Sequence, residues 1–133
     1  MHDIVYRTEK EFPIEKILAL YRSCNYNQWW EERNAKAWIN HAYRFITAWK
    51  GDLIVGTASV ISDAVNYAFI DDVLVHPAFR RKGIGTEMMR ILLAEISPLN
   101  LEFIQLIALP GRSAFYEKFG FVELAGSKAM RLF

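Results

Sequence analysis

The stretch Asp71-Asp72-Val73-Leu74-Val75-His76-Pro77-Ala78-Phe79-Arg80-Arg81-Lys82-Gly83-Ile84-Gly85-Thr86 decides how this chain is read. An apolar strand runs into a short turn, then a basic glycine loop, then the start of a helix. Such an order builds an anion site. Glycine lets the backbone approach a ligand closely. The N–H groups of a first helical turn lack intrahelical partners, and the helix dipole points its positive end the same way. A pyrophosphate suits that position. The loop is neither a P-loop, since its spacing and Lys-Ser/Thr ending are missing, nor a dinucleotide Gly-x-Gly-x-x-Gly fingerprint. Read alone, it is equally a basic turn capping a helix.

Working outward, the elements on either side fit one mixed α/β domain spanning residues 1–133. Ile4 to Arg7 reads as a first strand. Pro13 then starts a helix whose Ile14, Ile17, Leu18 and Tyr21 share one face, and Ala35, Trp38, Ile39 and Ala42 repeat that spacing in a second helix. An aromatic, amide-rich connection, Asn25 to Trp30, lies between them. Phe45 to Trp49 and Leu53 to Ile61 read as strands joined by a hairpin at Lys50-Gly51-Asp52. Tyr67 to Val75 is apolar on both faces apart from Asp71 and Asp72, as in a central buried strand. A helix from about Gly85 to Ile96 gathers Met88, Met89, Leu92, Leu93 and Ile96 on one side. Phe103 to Leu109 is a further strand, Ser113 to Phe119 a short helix ending at Gly120, and Phe121–Leu124 with Ala129–Phe133 a closing hairpin. The sum is a mostly antiparallel sheet of about seven strands flanked by about four helices.

Composition narrows the function. The chain has 133 residues and a net charge of +1, so there is no global electrostatic case for a nucleic-acid partner. The dense basic cluster is Arg80-Arg81-Lys82. The single cysteine, Cys24, excludes an intramolecular disulfide and reads as a buried structural thiol. No apolar run is long enough for a membrane span and no leader pattern opens the chain, so a cytoplasmic location is expected, with no membrane partner. The histidines have no metal-ligand spacing, so no metal is expected.

A second segment completes the pattern. Ala114-Phe115-Tyr116-Glu117-Lys118-Phe119-Gly120-Phe121 follows a strand and a turn downstream of the glycine loop. Together the two segments resemble the GCN5-related N-acetyltransferase family. Arg80-Arg81-Lys82-Gly83-Ile84-Gly85 fits its Arg/Gln-x-x-Gly-x-Gly/Ala motif, and Phe115 to Phe121 fits its Phe-Tyr-Glu-Lys-x-Gly-Phe motif. The order of elements also follows the family nearly end to end.

The resemblance implies an enzyme that transfers the acetyl group of acetyl-CoA directly to a primary amine of a small molecule or peptide. Two alternatives are a non-catalytic acyl-CoA-binding module and an acetyltransferase acting on a protein terminus or lysine. By family likeness, the backbone of Arg80, Arg81, Lys82, Gly83, Ile84, Gly85 and Thr86 would hold the pyrophosphate. Val73, Leu74 and Val75 would bond the pantetheine arm as a neighbouring strand does, beside a bulge and a splayed cleft, and an N–H near Val75 would polarise the thioester carbonyl. Tyr116 matches the tyrosine that protonates the leaving thiolate in many members.

Asp71 and Asp72 are the candidate bases, since acids in an apolar strand are costly unless hydrogen-bonded or functional. Being adjacent, they should point to opposite faces unless a bulge intervenes. An acid that simply binds backbone N–H groups or a substrate cation is an equal alternative. The sequence departs from the family where an asparagine often follows the fifth strand. Leu109-Pro110-Gly111 stands there, with Arg112 and Ser113 the next polar residues. Arg81 also occupies a position that is often glycine. The first two helices, with Tyr26, Trp29, Trp30, Glu31, Glu32 and Trp38, should supply the acceptor site or simply core and a solvated turn. The final strand, if exposed, can pair with a second subunit as a homodimer.

Overall fold

The computed structural model describes residues 3–26 and 32–132, with Glu32 and Arg33 described in backbone only. His2, Trp29, Trp30 and Glu31 and the side chain of Glu32 therefore lie outside the described residues. Five strands form one sheet in chain order: β1 (Ile4–Arg7), β2 (Arg44–Lys50), β3 (Leu53–Ser62), β4 (Tyr67–Val75) and β5 (Phe103–Leu106). The first three junctions are antiparallel and β4–β5 is parallel. Helices α1 (Ile14–Ser23) and α2 (Glu32–His41) precede β2, α3 (Ile84–Ile96) connects β4 to β5, and α4 (Ser113–Glu117) follows β5.

Strand alternation sorts the core into two layers. Ile46, Ala48, Val55, Ala58 and Val60 face α3, where Ile84, Met88, Met89, Leu92 and Ile96 are buried. Phe45, Trp49 and Ile54 face α1 and α2, against Ile17, Leu20, Tyr21, Ala35 and Ile39. Each large side chain buried in this way contributes roughly 1.5–3 kcal/mol. The apolar spacing read from the sequence therefore selects the correct helical faces. Trp38 belongs to this packing, its ring edge-on to Phe45 at 5.5 Å.

The expected seven strands are corrected to five. Beyond Phe121 the chain forms no strand up to Leu132, and Val122, Leu124, Met130 and Leu132 are exposed. The physical reason lies in β5, which stops at Leu106 rather than Leu109. Its register with β4 ends at Ile70↔Leu106, because β4 bulges immediately afterwards. A four-residue edge is a short template for a further hairpin, and Pro110 adds no N–H to lengthen it. The end of β4 is corrected for the same reason. It sits between β3 and β5, yet residues 71–75 are only half-buried.

Gly56 on β3 sets the spacing between the sheet and α3. A Cβ there would lie 3.0 Å from both Ile84 Cγ2 and Met88 Cε. Gly56→Val should therefore overpack this layer and lower stability by about 1–3 kcal/mol, read as a drop in urea midpoint with unchanged m. An unchanged midpoint would mean that α3 can move off β3 freely.

Candidate active site

The site is organised by a bulge in β4. Leu74 pairs with Thr57 and Asp71 with Ser59, so Asp72 and Val73 together lie opposite Ala58. Asp72 takes a left-handed conformation, φ 49°. Ala68 and Ile70 before the bulge face α3, and so do Val73 and Val75 after it, whereas Leu74 packs towards α1 and α2. The alternation therefore changes parity at Asp72. Strict alternation would send Asp72 into the α3 core beside Ile70. Instead its Oδ2 accepts a hydrogen bond from the Tyr21 hydroxyl of α1, at 3.1 Å. The bulge thus sets where Asp72 points, towards α1 and away from the α3 core. Asp71 Oδ1 accepts from the Asp72 N–H at 2.9 Å, and the Asp71 carbonyl accepts from Ser59 Oγ at 3.1 Å.

Burial, and next the neighbouring Asp71, push the Asp72 carboxyl up to about 6; the Tyr21 hydrogen bond pulls the other way. Tyr21 itself is 1% exposed. Burial and the adjoining Asp72 move its phenol far above the ordinary range, so it stays protonated and can donate to the carboxylate. Sequence reading places Tyr21 simply on the apolar face of α1. The available signal was its hydroxyl among Ile14, Ile17 and Leu18, because a buried phenol needs a partner.

Beyond the bulge β4 and β5 no longer pair, and a cavity of about 620 Å³ opens there. Val73, Leu74 and Val75 form one wall, Arg80, Arg81, Gly83, Gly85 and Thr86 the floor, and Arg112, Phe115, Tyr116 and Lys118 the far side. Gly83 precedes α3 with φ 81°, and no side chain caps this helix. The first-turn N–H groups thus remain available to an anion, with Arg80 and Arg81 beside them. Arg81 holds φ 63°, a conformation that glycine enters without strain. The residues of the basic loop do not all reach the cavity. The Ile84 side chain is buried in the core, and Lys82 lies over the Phe79 ring, its Nζ 5.8 Å from the centroid. Arg80 Nε donates to the Val75 carbonyl at 3.1 Å, which ties the loop to the strand.

Tyr116, on α4, stands across the cavity from β4 and is half-buried. Burial is the main cause raising its phenol above the usual value, with Arg112 opposing and Asp71 assisting. It is therefore protonated at neutral pH. Gly85 brings α4 close: a Cβ there would sit 3.3 Å from Phe115 Cζ. His76 has a turn role, its Nδ1 accepting from the Ala78 N–H at 3.1 Å. Cys24 is half-buried rather than buried, with Sγ 3.6 Å from the Val75 carbonyl. Tyr26 packs edge-on to Tyr21 at 6.2 Å. Among the described residues no cluster of His, Cys, Asp and Glu could hold a metal, and no helix is long and apolar enough to cross a membrane. A larger hollow, about 1030 Å³, lies between β5, α4 and the C-terminal segment, away from the basic loop.

Comparison with known proteins accounts for this arrangement. The profile of the Acetyltransferase (GNAT) family matches residues 9–121. The chain belongs to the GNAT acetyltransferase family. It is 36% identical over 70 residues to an uncharacterized N-acetyltransferase, ycf52, of Porphyra purpurea, a match covering 53% of this chain and 40% of that protein. The matched part spans between 40% and 51% of the curated relatives' length. A GNAT family acetyltransferase from Streptococcus pneumoniae superposes with a TM-score of 0.82 at 25% identity, covering 98% of this chain and 97% of its own. A predicted acetyltransferase from Clostridium acetobutylicum, solved with acetyl-CoA, shares the GNAT fold at TM-score 0.71 and 19% identity, with coverage of 97% and 96%.

The raised Asp72 carboxyl has a consequence for stability. Between the unfolded value near 3.8 and the folded value of about 6, the folded chain binds more protons than the unfolded one. Stability contributed by this group is therefore present below pH 4 and falls as pH rises to about 6. Asp72→Asn keeps an acceptor for Tyr21 and removes the charge. It should raise stability by roughly 1–3 kcal/mol at pH 8 and by much less at pH 4, measured by urea unfolding at both pH values.

Proposed function

We propose that this protein is an N-acetyltransferase that passes the acetyl group of acetyl-CoA directly to a primary amine of a small molecule or peptide. The observation that carries this reading is the splayed β4–β5 cleft, with a basic, uncapped helix N-terminus at one end, Val73 to Val75 on one side and Tyr116 on the other. Asp72 stands in the bulge next to Val73, where the cleft begins. The residues present fit the cofactor. The floor is cationic and rich in free N–H groups, as a pyrophosphate requires. Val73 to Val75 lack a strand partner on the β5 side, so their backbone can bond an extended pantetheine arm. The relative from Clostridium acetobutylicum was solved with acetyl-CoA, which supports the same ligand.

When bound, acetyl-CoA supplies an activated thioester and a thiolate leaving group. The work of this chain is then proton traffic and charge stabilisation. Asp72, ionised above about pH 6, takes a proton from the acceptor ammonium and frees its lone pair. A backbone N–H near Val75 stabilises the charge that develops on the carbonyl oxygen as the C–N bond forms. Tyr116 gives its proton to the sulfur as the C–S bond breaks, and the second proton that the nitrogen sheds after C–N bond formation restores the phenol, directly or through water. Arg112 and the basic loop, Arg80, Arg81 and Lys82, favour the anionic cofactor. Asp71, beside Asp72, favours a cationic acceptor by charge.

An acceptor screen that follows thiol release from acetyl-CoA tests the reading. Release should depend on an amine, and CoA should raise the melting temperature. Tyr116→Phe should lower kcat by about 10²–10⁴ while the stabilisation by CoA persists. In the wild type kcat/KM should rise with pH through about 6 and then level, and Asp72→Asn should remove that limb. Binding of CoA without turnover for any amine would favour a non-catalytic acyl-CoA module. No stabilisation by millimolar CoA would remove the cofactor reading altogether.

A further inference from the structure

Tyr21 stands outside every motif that points to the chemistry, yet it makes the direct contact with the Asp72 carboxylate. It comes from α1, fifty-one positions away in the chain. The ring is locked in the core: it is 1% exposed and packs edge-on against Tyr26. Its hydroxyl donates to Asp72 Oδ2 at 3.1 Å. Asp72 is pinned at the backbone as well, through the bond from its N–H to Asp71 Oδ1 and its left-handed φ of 49°. The rotation of the carboxyl group is what remains free, and Tyr21 removes that freedom.

We propose that Tyr21 is a positioning residue for acetyl transfer: its hydroxyl holds Oδ2 of Asp72 and leaves Oδ1 to receive the acceptor's proton. This rests on the reading of Asp72 as the base. Among the described residues Oδ1 has no hydrogen-bond partner and no cation pairs with Asp72. Among the described residues, these groups face the pair. Asp71 is the near charge on β4, Ser59 of β3 is committed to the Asp71 carbonyl, Tyr26 lies at the end of α1, and Tyr116 of α4 feels the Asp71 charge across the cleft. Burial and Asp71 both disfavour the ionised carboxylate, and among the described residues Tyr21 is the side chain that favours it. A charge-assisted donor of this kind sets both the direction of the carboxylate and the pH at which it becomes a base.

The test is Tyr21→Phe, which keeps the ring and deletes the hydroxyl. Three quantities are compared with the wild type: the melting temperature, the titration of the Asp72 carboxyl by carbon-13 NMR, and the pH profile of kcat/KM with acetyl-CoA and the best acceptor found. The carboxyl titration and the acid limb should both move up by about one pH unit, with CoA affinity unchanged. In an Asp72→Asn background the same change should have no further effect on the profile, as expected if Tyr21 acts through Asp72. An Asp72 carboxyl that titrates identically in both proteins overturns the inference itself. A moved titration with an unmoved rate profile overturns the base reading on which it rests. Should Tyr21→Phe not fold, 3-fluorotyrosine at position 21 supplies a stronger donor, and the titration and the limb should then move down. An unmoved titration there is equally fatal.

Discussion

The single extra residue in β4 is the constraint on which the rest of the structure depends. Before it, even-numbered residues face α3; after it, odd-numbered ones do. That change of parity has three effects at once. It keeps a carboxylate out of an apolar core, where an unpaired charge would be prohibitive. It turns Asp72 towards α1, where a phenol is waiting. It also bends β4 away from β5, which ends their pairing at Ile70↔Leu106 and opens the cleft. Bulges commonly aim side chains at sites in this way. The left-handed Asp72 is the local strain that accompanies it, held in place by the Asp71 carboxylate on its own N–H and by Tyr21 on its side chain.

Charge is concentrated at the basic end of the cleft. Arg80, Arg81 and the uncapped first turn of α3 give that end a positive potential, which draws anions. Asp71 and Asp72 stand at the bulge, outside the residues that line the cavity. Tyr116 feels charge of both signs. Arg112 and Asp71 act on its phenol in opposite directions, and burial decides the balance in favour of the neutral acid.

Much of this was legible in the sequence, because it depends on periodicity and local chemistry. The strand–loop–helix around Gly83 and the apolar faces of α1, α2 and α3 follow from short-range patterns, whereas the place of Tyr116 beside β4 was implied only by its motif's resemblance to the family. What the pattern could not convey depends on pairing across distance. Parity after Asp72 is a property of the β3–β4 register rather than of either strand. The shortness of β5 follows from that register too, and with it the failure of the last segment to form strands. The spacing of α1 marks Tyr21 as core because its ring is core; its hydroxyl gains meaning only once α1 is laid against β4. Lys82 and Ile84 show the limit of reading a loop motif residue by residue. Both belong to it, yet one lies over Phe79 and the other in the α3 layer.

The contact between Gly85 and Phe115 has a meaning for how such chains diverge. The missing side chain on α3 is the space into which an α4 ring fits, 3.3 Å from where a Cβ would stand. Two sequence motifs separated by a whole strand are therefore one steric unit. A methyl at residue 85 would ask the Phe115 ring to give by a few tenths of an ångström, and a larger side chain would displace it, moving the ring packed against Tyr116. Drift in the glycine loop is thus coupled to the helix that bears Phe115 and Tyr116, weakly for a methyl and strongly for anything larger.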